Sequence, residues 1–141
     1  MIVVIDNFIK DQDLLRDISN DINFFSDPGV YYWWDGWWNG EAKSLKHRLI
    51  EHIWADNCPL SEAMAIRGFE YWTGIQTADP NMGFENNLGG HFDKDEELFE
   101  LTGEIVTPSM GTVYYPEQSE FEGGMLEIYS EGEDKEPEVV Y

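Results

Sequence analysis

A chain of 141 residues is long enough to bury one core and short for two, so a single domain is expected over residues 1–141. Its hydrophobic (42%) and aromatic (15%) fractions are those of a folding chain despite the heavy charge. Acidic residues outnumber basic ones 29 to 8, and a formal charge of -21 repels phosphate backbones and anionic lipid, so neither a nucleic-acid nor a membrane partner is expected.

The opening run "MIVVI" stops at Asp6, far short of a membrane-spanning segment, and reads as a short strand entering a turn. The lone Cys58 offers no intramolecular disulfide, which together with that short run points to the cytoplasm. In "DQDLLRDISNDINFF", Leu14, Ile18 and Ile22 recur at spacing four, the pattern of one helical stripe, and Asp11 is placed to cap it. "SDPGV" then supplies turn chemistry.

"YYWWDGWWNG" places four tryptophans around Asp35-Gly36, a pair suited to a two-residue hairpin turn between aromatic strands. Large aromatics most often cover a core, and a substrate-facing wall is the sharper alternative. A second helix is predicted in "KSLKHRLIEHIWADN", with Leu45, Leu49 and Ile53 as its apolar stripe. His47 falls opposite that stripe and is expected to face solvent, whereas His52 lies at the stripe's edge. The two are about 140° apart around the helix and cannot chelate one ion from a regular helix.

From residue 64 onward the β-prone runs are "AIRGFEYWTGIQ", "HFD", "SMGTVYY" and "GGMLEIYS", separated by glycine, proline and acidic turns. The terminal "VVY" looks like the beginning of another strand. Helices followed by a block of strands favour an α+β antiparallel sheet or barrel with helices packed on one side.

Within "GGHFDKDEELF", His91 and Asp93 are two apart, and in a strand they would share a face and offer a nitrogen and a carboxylate oxygen to one ion. A facial triad of two histidines and one carboxylate would need one more histidine. Alone the pair is a weak motif, expected by chance in on the order of one chain in ten of this length.

Downstream, "TPSMGTVYYPEQSEFEGGMLEIYSEG" adds Tyr114-Tyr115 and then Gly123-Gly124-Met125-Leu126-Glu127-Ile128 in order after His91-Phe92-Asp93. In that order and spacing the chain resembles the iron(II)- and 2-oxoglutarate-dependent dioxygenases, within them the prolyl-hydroxylase-like group. The opening "VVIDNFI" followed by a helix is similar to the family as well, so the resemblance covers nearly the whole chain.

The resemblance implies a double-stranded β-helix, the jelly-roll or cupin-like barrel, with N-terminal helices packed on one sheet. It implies Fe(II) as cofactor, 2-oxoglutarate as cosubstrate and ascorbate as a candidate reductant. His91 and Asp93 would be metal ligands, and Tyr115 would hydrogen-bond the far carboxylate of 2-oxoglutarate. Trp33, Trp34, Trp37 and Trp38 are candidate substrate contacts by fold analogy, for a peptide or amino-acid side-chain substrate.

The pattern breaks at its distal end. No histidine follows His91, and Lys135 is the only basic residue after Lys94, so the family's second histidine and its cosubstrate-pairing arginine or lysine are absent. The last strands of the barrel are expected to be missing, and the chain to be C-terminally truncated relative to the family. A barrel short of strands exposes edges that invite pairing with a second chain or with another copy. Three readings follow: an incomplete or inactive hydroxylase homologue, half of a split enzyme completed by a partner chain, or a non-catalytic acidic protein on the same scaffold that binds a basic partner.

Overall fold

The computed structural model describes residues 2–55, 66–74, 91–116, 126–129 and 139–140. The chain divides into two units, Met1–Ile75 and Gln76–Tyr141, taken in turn.

In the first unit, residues 2–5 are exposed and carry no strand, and the chain turns at Asp6-Asn7 with Asn7 at φ 50°. Helix α1, Gln12–Asn20, starts at Asp11. The Asp11 carboxylate accepts from the N–H groups of Asp13 (2.9 Å) and Leu14 (3.0 Å), so two donors that the first turn leaves without helical partners are satisfied. Leu14 and Ile18 bury their side chains as the periodicity predicts.

Ile22 does not follow them and is 92% exposed, because the helix has already stopped. Asp21 adopts an extended backbone and its carboxylate takes the Asn23 N–H at 2.9 Å, which turns the chain and brings Phe24 into the core in place of Ile22.

Helix α2, Leu45–Trp54, is capped by Ser44, whose hydroxyl accepts from the His47 N–H at 3.1 Å. Leu49 and Trp54 are its buried residues, and they complete a core with Ile9, Leu14, Ile18, Phe24 and Trp34. The Arg48 guanidinium reaches Asp17 on α1 at 2.9 Å. Both side chains are substantially exposed, so the pair orients the two helices more than it stabilises them.

Strand β1, Tyr32–Trp34, precedes Asp35-Gly36, but the predicted hairpin does not form there. Gly36 sits at φ 91°, and Trp37–Asn39 closes one turn of 3-10 helix with the Trp38 ring folded onto Gly36. The antiparallel partner of β1 is strand β2, Phe69–Tyr71, in the register Tyr32↔Tyr71, Trp33↔Glu70 and Trp34↔Phe69. A parallel bridge between Pro28 and Thr73, with the Gly29 N–H donating to the Thr73 carbonyl at 2.8 Å, anchors the approach to β1.

The described residues of the second unit include helix α3, Glu96–Thr102, which the β-propensity reading passes over. Its signals are local: Asp95 caps it by accepting from the Leu98 N–H at 2.8 Å, Glu96 and Glu97 sit in the first turn, and Gly103 ends it at φ 73°. Strand β3, Glu127–Ile128, pairs antiparallel with strand β4, Val139–Val140, so the terminal "VV" is a strand as predicted. "HFD" and "SMGTVYY" are irregular, with a bend at Ser109. Among the described residues, β structure consists of these two antiparallel pairs and the Pro28–Thr73 bridge. Cys58, residues 77–90, the Gly123-Gly124 pair and Lys135 lie outside the described residues.

Candidate functional site

His91 and Asp93 come together although their segment is not a strand. His91 Nε2 lies 3.7 Å from Asp93 Oδ1, with both side chains about half exposed. The segment is held from its C-terminal side, because the Asp95 N–H donates to the Val106 carbonyl at 2.8 Å while the Asp95 carboxylate caps α3. That bond sets residues 93–95 beside the chain after α3, and a Cβ at Gly111 would meet the other Asp93 oxygen at 3.6 Å.

Two donors bound to one ion at right angles stand about 3 Å apart for bonds of about 2.1 Å. The observed separation of 3.7 Å is longer than that, so the pair offers a nitrogen and an oxygen donor of the right kinds near one another without spanning two adjacent positions on one ion as placed. Among the described residues no cluster of three or more His, Cys, Asp or Glu is arranged to hold a metal. The residues present therefore supply a partial ligand set.

The nearest basic residue in sequence, Lys94, is already engaged. Its ammonium pairs with both oxygens of Glu96, at 2.7 and 2.9 Å, and stands 4.6 Å over the Phe99 ring. A dianionic cosubstrate would have to compete with Glu96 for that charge. Tyr115 follows Gly111 by four residues, and its side chain is 57% exposed, whereas Tyr114 is half-buried.

The four tryptophans of 33–38, all in the first unit, divide into two kinds. Trp34 is buried and Trp37 half-buried, and both pack on Phe69, with centroids at 5.9 and 5.7 Å. Trp33 and Trp38 are exposed. Two of the candidate substrate contacts are thus core cover, whereas Trp33 and Trp38 keep part of their surface in solvent while their rings rest on Gly68 and on Gly36, Trp37 and Phe69 respectively.

His47 departs from its predicted solvent-facing position. Its ring lies flat on Trp34, centroids 4.4 Å apart and planes 4° from parallel, and Nε2 is 3.0 Å from the Tyr71 hydroxyl. Nδ1 accepts the Lys43 N–H at 3.4 Å, which leaves the proton of the neutral ring on Nε2, donating to Tyr71. Burial, with the Lys43 charge adding to it, holds the His47 pKa below 6.5, and burial likewise raises that of Tyr71. Beside this pair is a cleft of about 260 Å³ lined by Asp21, Asp27, Tyr32, Ser44, Lys46 and Tyr71, among others. No motif marks it in the sequence. The only signal was the density of aromatic residues flanking a helix that carries a histidine on its polar face.

Protein-family models, curated proteins and solved structures were each compared with the chain, and none matches it. Among the described residues, no helix is long and apolar enough to cross a membrane.

Proposed function

We propose that the chain is an iron(II)- and 2-oxoglutarate-dependent dioxygenase homologue of the prolyl-hydroxylase-like group, on an α+β double-stranded β-helix scaffold. The observation that carries this reading is the His91–Asp93 pair, two donors 3.7 Å apart on a segment fixed by Asp95. His91 and Asp93 would hold the metal, and Tyr115 would donate to the far carboxylate of 2-oxoglutarate. Iron with 2-oxoglutarate and dioxygen supplies the oxidising power to hydroxylate an unactivated C–H bond, one oxygen atom entering the product and the other the succinate formed as carbon dioxide leaves. The chain's own contribution is to fix the two donors in register and to orient the cosubstrate, for a peptide or amino-acid side-chain substrate.

A third ligand would come from outside the described residues or from another chain. The second unit leaves Phe92, Leu101, Ile105 and Val113 exposed, apolar surface of the kind a partner chain or a second copy would cover. Sedimentation of the purified chain tests this part: assembly supports completion in trans, and a stable monomer that still binds iron through a third residue of its own refutes it.

Anaerobic titration with iron(II) and 2-oxoglutarate, followed by the weak visible charge-transfer band of the chelated complex, tests the metal reading. A saturable band that His91→Ala and Asp93→Ala each abolish is the expected result. Absence of a band in the folded chain would leave a scaffold without the chemistry.

A further inference from the structure

We infer that the outward face of the β1–β2 pair, built on Tyr31, Trp33 and Trp72, is a docking surface for arginine side chains of a basic peptide. The inference rests on the first unit alone and is independent of the iron reading.

Side chains alternate across the pair, so Tyr32, Trp34, Phe69 and Tyr71 point to the α2 side, and the opposite face carries Tyr31 across from Trp72 and Trp33 across from Glu70. Tyr31 and Trp72 pack with centroids 5.1 Å apart, and both are exposed. Trp33 is 55% exposed and yet held in place. Its indole N–H donates to Asp35 Oδ1 at 2.7 Å, and its ring lies so closely on Gly68 that a Cβ there would overlap it.

Fixing an exposed tryptophan before binding removes the ordering cost that usually offsets the gain from a contact. Large aromatics with few freely moving bonds are the residues that dominate interface energetics.

Charge selects the occupant. The aromatic rings offer negative π-faces, the Asp35 carboxylate accepts the Trp33 indole N–H, and Glu70 is the register partner of Trp33 across the strand pair. The chain as a whole carries -21, which steers a cationic partner towards it and an acidic one away. Of the two basic side chains, arginine suits the face better, because a planar guanidinium stacks on indole while its N–H fork reaches a carboxylate. Lysine offers a point charge without the stack.

The test is calorimetric titration of the full chain with a synthetic peptide of alternating arginine and glycine, against the matched lysine peptide, at low and moderate salt. Saturable binding of the arginine peptide, tighter than the lysine peptide, is expected, with Trp33→Ala and Trp72→Ala each weakening it about ten-fold.

Asp35→Asn keeps an acceptor for the Trp33 indole while removing the charge, and with Glu70→Gln it should lower both the affinity and its salt dependence; these two variants decide the matter if a tryptophan variant fails to fold. Equal binding by the wild type and all four variants of the face would overturn the proposal. So would the absence of peptide binding in a chain whose self-association is abolished by Trp33→Ala, which would make the face a contact between copies.

Discussion

The imidazole of His47 and the indole of Trp34 lie face to face, 4.4 Å between centroids and 4° from parallel, so a helix and a strand of the first unit meet through two aromatic planes. The neutral ring is the form that this arrangement favours. Stacking, partial burial and donation from Nε2 to the Tyr71 hydroxyl all hold without a charge on the ring, whereas a charge near the N-terminus of α2 would oppose the helix dipole.

From this follows a pH dependence. The folded-state pKa of His47 is depressed below 6.5, so in the window beneath that value the unfolded chain binds more protons than the folded one. The contribution of His47 to stability is complete above the unfolded pKa and falls as pH drops through the folded one. Denaturant titrations of the wild type and His47→Gln across about pH 7 to 5 should show a difference that shrinks on acidification. A constant difference would mean that the ring does not titrate differently in the two states.

Trp34 is the buried member of the stack and also packs on Trp37 and Phe69. Truncating it to alanine removes that packing and leaves a void beside His47. A loss of about 3–5 kcal/mol is expected from equilibrium unfolding, and a smaller one for Trp38→Ala, whose ring packs on Trp37 and Phe69 but is partly in solvent.

Gly36 and Gly40 bracket the 3-10 turn and should respond differently to alanine. Gly36 is at φ 91° beneath the Trp38 ring, so a Cβ there meets both backbone strain and overlap. Gly40 has an extended φ and open space around it. Thermal unfolding should place Gly36→Ala about 1–3 kcal/mol below the wild type and Gly40→Ala near it or slightly above.

Asp95 links a helix cap to the candidate metal pair. Asp95→Ala removes the acceptor for the Leu98 N–H and should cost about 1 kcal/mol, with faster amide exchange across Glu96–Thr102. Asp95→Asn keeps a capping oxygen and should retain most of that protection. If the cap positions Asp93, iron(II) affinity should fall in the alanine variant and recover in the asparagine one, whereas equal affinities in the two would separate the helix from the site.

The two N-terminal helices were legible because each carries a four-residue apolar period, Leu14 and Ile18 behind the cap Asp11, and Leu45 and Leu49 in the second; the Ser44 cap of the second helix emerges only in the structure. Ile22 shows the limit of periodicity, since a single Asx turn at Asp21 outweighs continuation of the stripe. The hairpin at Asp35-Gly36 was locally sound, but burial of Trp34 against Phe69 and His47 favours a partner more than 30 residues away, which no local rule detects. His47 was misplaced for a related reason. A helix with one apolar stripe is read as having one buried face, and the β1–β2 pair covers part of the other. The closeness of His91 and Asp93 was legible from their spacing, although the strand geometry invoked for it is not what holds them.

All six tryptophans fall within Met1–Ile75, whereas His91 and Asp93 belong to the other unit. Emission excited selectively in indole is therefore a private signal of the first unit, and an iron charge-transfer band would be a private signal of the second. Followed together through one denaturant titration, the two colours would report whether the halves of this chain unfold in a single step or let go of their structure separately.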